Sequence, residues 1–382
     1  MFVASCNTPN EEPSSSPSEE VHSEADGIPV FELDPSWPKR PLPNNWVFGN
    51  VAGMSIDAND HVWVIHRPLS VTLSMDYAAS DPPAGECCQP FPSVVEFDSS
   101  GEVVQAWGGL DPASEDGEMR GELKVTAEGY EWPREHGLFV DYQGNVWTGG
   151  GEDGAATVTK LTSDGQLIFQ KGAFGQSQGN ADVENFGSPA GIFVDQENNE
   201  AFIADGYENN RVIVIDADTG EHKRMWGAYG NEPLDGNPEY DPTAPPSQQF
   251  RHPVHCIELS NDGLVYVCDR RGNRVQVFEK DGTFVKEGFI APETLGFGAV
   301  HDVALSADPE QEFLYVGDGA NKKVWILRRD TLEILGSFGN GGKYAGEFAI
   351  VHVIETDSQG NLYVGETVGG DRVQKFKFMG VQ

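Results

Sequence analysis

Positive charge is scarce in this chain of 382 residues: 25 lysines and arginines stand against 61 aspartates and glutamates, a formal net charge of −36. Nucleic-acid binding draws on Lys and Arg to neutralise phosphates, so this balance argues against such a partner. An acidic surface stays soluble and attracts cations, metals included, without naming a ligand. Long apolar runs are missing too. No stretch reaches the ~18 apolar residues that a membrane-crossing helix needs. Cysteine is rare, with five residues, and none has zinc-finger spacing. Glycine is plentiful, at 45 residues beside a hydrophobic content of 38%. That is a composition of short strands and turns.

The organising stretch is 252–278, HPVHCIELSNDGLVYVCDRRGNRVQVF. HCIEL reads as an inner strand, and Asn261-Asp262-Gly263 as a hairpin turn where positive φ costs little. LVYVCD alternates and is rich in β-branched and aromatic residues, and a polar corner at 270–273 leads into RVQVF. A unit this small cannot bury a core alone. The motif recurs, with first strands starting at Ala52, His136, Ala190, His255, His301 and His352. Most units end in a fourth apolar strand. Six four-stranded units predict an all-β, six-bladed β-propeller. The last unit stops after three strands, and 28–37 (IPVFELDPSW) can supply its fourth and close the ring. One domain over 28–382 is therefore expected. The D-x-x-G-N-x-[VL]-[WY]-V turns and N-R-V corners resemble NHL repeats.

Residues 1–27 are rich in Ser, Pro and Glu and read as a disordered acidic tether. Val3-Ala4-Ser5-Cys6 resembles a bacterial lipoprotein cleavage box, with Cys6 as the lipidated residue, although only Met1 and Phe2 precede it. The expectation is an extracytoplasmic protein, a bacterial lipoprotein or periplasmic or secreted, touching the membrane only through a lipid anchor. A monomer is expected. In that setting the adjacent Cys87 and Cys88, in an insertion within the first unit, can form a vicinal disulfide. Cys256 and Cys268 read as small core residues on neighbouring strands.

Propeller geometry sorts residues by face. First-strand starts, second-strand ends and the long connections 68–93, 109–134 and 227–251 share one face. The tight turns occupy the other, and binding sites favour the loop side of a rigid scaffold. Four of the six first-strand starts are histidine: His136, His255, His301 and His352. Blades two, four and six are related by about 120° in a six-fold ring, so His136, His255 and His352 can converge on the axis. Three imidazoles with an open fourth position form a catalytic zinc arrangement. No carboxylate shares that register, which argues against Ca²⁺ or Mg²⁺ there. Arg67, Tyr207 and Arg270 end second strands on the same face. Arginine and tyrosine at such corners commonly tie blades together, but around a metal they supply a phenol and two carboxylate-binding guanidiniums.

HGL (136–138), DGYENNRV (205–212), PVHCIEL with CDRRGNRVQVF, VIHRP (64–68) and F-x-x-x-H (348–352) resemble peptidyl-α-hydroxyglycine α-amidating lyase. That family cleaves an N-acyl-α-hydroxyglycine to an amide and glyoxylate. The resemblance implies zinc on His136, His255 and His352, a catalytic Tyr207, and active-site arginines at Arg67 and Arg270. It also implies a structural calcium, for which Met54 and Leu138 would give backbone carbonyls. The family's aspartate follows its last zinc histidine, whereas here the His-Asp pair is His301-Asp302. The third ligand is therefore open between His301 and His352, and Asp302 is the calcium candidate. The function expected is a zinc-dependent lyase acting on a small or peptide-derived carboxylated α-hydroxy-amide. A tyrosine, with a reference pKa of about 10, needs a nearby cation to serve as base. The alternatives are a non-catalytic propeller binding protein or glycan on its loop face, and a metal-dependent hydrolase such as a lactonase.

Overall fold

The computed structural model describes residues 1, 27–71, 87–109, 135–150 and 156–382. Six antiparallel four-stranded sheets form the blades of the propeller, and the first five run in chain order from the axis outward. Blade one comprises Asn50–Ile56, Val62–Arg67, Val94–Phe97 and Val103–Trp107, and blade two Glu135–Val140, Val146–Gly150, Thr157–Leu161 and Leu167–Gly172. Blade three holds Pro189–Asp195, Glu200–Asp205, Arg211–Asp216 and His222–Trp226. Blade four is built of Val254–Leu259, Leu264–Asp269, Arg274–Glu279 and Phe284–Phe289, and blade five of Asp302–Leu305, Phe313–Asp318, Lys323–Arg328 and Ile334–Phe338. In blade six Val351–Thr356, Leu362–Glu366 and Arg372–Val381 are completed by the N-terminal strand Pro29–Leu33, as the sequence predicts. Phe31 clasps this closure, its ring 5.3 Å from those of Tyr315 and Phe338.

Apolar alternation gives each sheet two faces to bury, and no blade buries them alone. The core is accordingly divided among the blade interfaces. One cluster joins blades four and five through Tyr266, Val277, Val303 and Leu314, and another joins three and four through Phe202, Val214, Ile257 and Phe278. Equivalent clusters fill the remaining interfaces. Cys256 and Cys268 are buried core residues, as expected, and in addition form a disulfide across the first two strands of blade four. Cys87 and Cys88 are bonded to each other. Cys6 and most of the tether, with residues 72–86 and 110–134 of the long connections, lie outside the described residues.

Two devices fix the ends of the strands. On the turn face an aspartate caps the hairpin: Asp141 accepts from the Gln143 and Asn145 N–H groups, and Asp357 from those of Gln359 and Asn361. On the loop face a buried acid paired with arginine locks the corners of blades three, four and six. Asp205 takes the Arg211 Nε–H at 2.8 Å, and Asp269 that of Arg274 at 2.9 Å. Glu366 and Arg372 repeat the pair in blade six. Tyr207 and Arg270 sit inside two of these locked corners, so their backbone is held before any ligand arrives.

Candidate metal centre

β-Bulges break the first-strand pairing between His136 and Leu138, Val254 and Ile257, and Val351 and Val353. A bulge re-aims side chains at a strand end. Here it turns the histidines into the channel. At the blade-two bulge Gly137 has φ +63°, and a Cβ there would lie 2.3 Å from the Ala190 carbonyl oxygen. The strands pack at backbone contact, which explains the glycine in HGL. Gly206 serves the same end beside Tyr207, where a Cβ would meet the Val254 oxygen at 2.0 Å.

His136, His255 and His352 come together. Their ring centroids are 4.8–5.0 Å apart, and one ligand nitrogen from each lies within 4.8 Å of the others. Burial, aided by the neighbouring guanidiniums and imidazoles, holds all three well below the ordinary histidine pKa. They are neutral, the form that binds metals. Backbone carbonyls set their tautomers: His136 Nδ1 donates to the Ala190 oxygen at 2.9 Å and His255 Nδ1 to the His301 oxygen at 2.5 Å. Each leaves an Nε2 lone pair facing inward, the orientation that outer-shell carbonyls impose on metal ligands. His352 Nδ1 has no partner of full hydrogen-bond geometry, although the Val51 backbone is close enough to act on it.

Tyr207 Oη lies 2.8 Å from His136 Nε2 and 3.2 Å from His255 Nε2, and accepts from Arg270 Nη1 at 3.2 Å. A phenol has one proton, so it satisfies only one of those two lone pairs. A cation would satisfy both. The donor set thus fits a metal ion. Arg270 is 6% exposed, and its guanidinium is anchored to the Phe297 carbonyl. Arg67 donates through Nε to the Glu135 carbonyl, and its charge helps depress His136 and His352.

His301 stands outside the trio. Its Nδ1 accepts the Gly319 N–H at 3.2 Å, so its proton resides on Nε2. It is oriented as a donor, not a ligand, and its rings-to-centre distances are longer, 5.8 Å to His255 and 6.4 Å to His352. Its backbone carbonyl, rather than its imidazole, serves the centre.

The calcium candidates Asp302, Met54 and Leu138 line one narrow cavity of about 40 Å³ below the histidines. Asp302 accepts the Ile354 N–H at 2.8 Å and does not join a group of three side-chain ligands among the described residues. The same cavity contains two carboxylates that the sequence reading missed, Glu258 and Glu355. The signal was there: both follow a channel histidine in an H-x-x-E spacing, His255 to Glu258 and His352 to Glu355. The channel is thus less devoid of carboxylate than the register of histidines alone implied. All three acids keep slight contact with the channel yet are surrounded by protein, and burial pushes them up, Asp302 to about 7. Asp302 raises both Glu258 and Glu355 further, and Glu258 raises Glu355.

A pH dependence follows. These folded-state pKa values exceed the unfolded ones of about 4, so their contribution is whole below pH ~4 and is lost as pH rises through the folded values. Metal-free protein should lose thermal stability between about pH 7.5 and 9, above the ordinary histidine pKa of about 6.5, where histidines are neutral in both states. The double variant Glu258→Gln/Glu355→Gln should flatten that fall in melting temperature. An unchanged slope would assign it to other groups.

No protein-family model matches the chain. It is 25% identical over 369 residues to NHL repeat-containing protein 3 of Mus musculus, spanning 91% of this chain and 84% of that one. To peptidyl-glycine alpha-amidating monooxygenase B of Xenopus laevis it is 28% identical over 243 residues, or 60% of this chain. The match takes in 25% of that longer protein, and 29% of the Mus musculus counterpart, where it spans 83% of this chain at 24% identity. Among solved structures, a streptogramin B lyase superposes with a TM-score of 0.52 at 14% identity, covering 92% of this chain and 98% of that one. That likeness is of fold. The chain is an NHL-type six-bladed β-propeller, related to NHL repeat-containing protein 3 and to the peptidylglycine α-amidating monooxygenases.

Proposed function

We propose that this propeller is a zinc-dependent lyase that cleaves a small carboxylated α-hydroxy-amide to an amide and glyoxylate. One observation carries the reading: three neutral imidazoles, a phenol and a guanidinium meet at a single point on the loop side of the channel. The similarity to the amidating monooxygenases supports it. His136, His255 and His352 would hold the ion. A bound zinc ion supplies Lewis acidity, lowering the pKa of a coordinated hydroxyl.

The chain's own residues account for the rest. Cleavage of a carbinolamide removes the hydroxyl proton, breaks the C–N bond and returns a proton to the departing amide nitrogen. Tyr207 Oη is positioned to take the first proton, and Arg270 Nη1 donates to that oxygen at 3.2 Å. Arg67, half-buried beside the trio, can hold the substrate carboxylate through its guanidinium. Burial of the histidines keeps bulk water from competing for them. Two bonded cysteine pairs support an extracytoplasmic setting.

The test joins metal content to turnover. Protein purified without added metal should contain about one zinc per chain at the centre and release glyoxylate from an N-acyl-α-hydroxyglycine. Chelation should abolish turnover and zinc restore it. Zinc-loaded protein without turnover would exclude this substrate, and protein that takes up no transition metal at the three histidines would favour a binding module.

A further inference from the structure

Blade one departs from the way blades two and six neutralise the aspartate of their tight turns. In blade two, Asp141 caps the turn and also accepts from Trp147 Nε1. Lys160, paired in register with Trp147, brings its ammonium to 3.6 Å from that carboxylate. Blade six repeats the arrangement with Asp357, the Tyr363 hydroxyl and Lys375, again at 3.6 Å. Each is a neutral acid–lysine pair beside an aromatic ring.

Blade one keeps the aspartate and the ring. Asp57 accepts from the Asn59 and His61 N–H groups at 2.8 and 3.1 Å, and from Trp63 Nε1 at 3.1 Å. The residue paired with Trp63, where blades two and six have lysine, is Glu96. His61 occupies the place of Asn145 and Asn361. Glu96 is 6% exposed, with Oε1 2.5 Å from His61 Nδ1 and Oε2 accepting from Gln105 at 2.6 Å. The group therefore carries −2 with a neutral imidazole and −1 with a protonated one, and Asp98 adds to the negative field. In blades two and six the same position in the fold is neutral. One ligand atom from each of Asp57, His61 and Glu96 lies within 4.8 Å of the other two.

We propose that blade one carries a second metal site, in which Asp57, His61 and Glu96 bind a divalent transition cation. A divalent ion neutralises two carboxylates and a neutral imidazole, restoring the balance that lysine gives blades two and six. One nitrogen and two oxygen donors suit Zn²⁺ or Mn²⁺, whereas Ca²⁺ and Mg²⁺ take oxygen alone. Trp63 and the turn amides orient Asp57, and Gln105 orients Glu96, an outer shell made in advance. The site lies on the turn face, away from the three central histidines, and does not depend on their function.

The double variant His61→Asn/Glu96→Lys restores the residues of blades two and six and should fold as they do. Metal-free wild type and variant are dialysed against buffered micromolar zinc, and zinc per chain is counted. Wild type should hold about one more zinc than the double variant, and Glu96→Gln alone should weaken that extra binding at least about tenfold. Equal zinc content in wild type and double variant would overturn the proposal. The central histidines are intact in every protein, so an empty central site lowers all counts alike and leaves the difference readable.

Discussion

His352→Ala should strip the central metal, while His301→Ala leaves it bound. The two residues occupy the same register in neighbouring blades, and both are buried. They differ in what holds them. His352 lies 5.0 Å from His136 and 4.8 Å from His255 by ring centroid, with no full partner for its Nδ1. His301 accepts the Gly319 N–H and reaches the centre only through its backbone oxygen, which takes the His255 Nδ1 proton. Alanine at 301 keeps that oxygen. Removing His352 deletes one of three ligands and should weaken zinc binding by more than about 100-fold, beyond the 10–100-fold typical of outer-shell changes. His301→Ala should cost less than about tenfold. Competition with a chromophoric chelator measures both, and circular dichroism checks the fold. Comparable losses from both variants would mean that His301 turns inward when metal binds.

Tyr207→Phe should keep the fold and the metal and lower turnover at least about 100-fold, the usual scale for a positioned proton acceptor. The substitution retains the ring, which stacks edge-on at 5.0 Å from His136 and lies under the Arg270 guanidinium. What it deletes is one oxygen with three polar neighbours. A structural tyrosine would lose about 0.5–1.5 kcal/mol of stability for such a bond and no activity. Its position, beside two lone pairs that a cation would use, admits a different role as a metal ligand. The measurement separates the two: a ligand role predicts lost zinc, a base role predicts matched zinc with lost turnover. Glyoxylate release at equal zinc content is the readout. Full activity in Tyr207→Phe would end the catalytic assignment.

Much of this molecule was legible in the chain itself. Strand period, turn chemistry and a recurring unit are local properties, so six blades, their faces and the closing strand 28–37 follow from sequence alone. The histidines at equivalent positions follow as well, because a propeller repeats its register. Which of them converge does not follow. That depends on bulges that rotate His136, His255 and His352 inward, and on the Gly319 amide that occupies His301. The H-x-x-E carboxylates were visible as letters, but their shared cavity exists only once opposite blades meet across the axis. Cys256 and Cys268 are legible as core residues, but the bond between them appears only when strand pairing brings their sulfurs together. Sequence fixes what each strand presents along its own length. Distances between strands remote in the chain, and hence the charge and tautomer of the groups between them, are set only by packing around the ring.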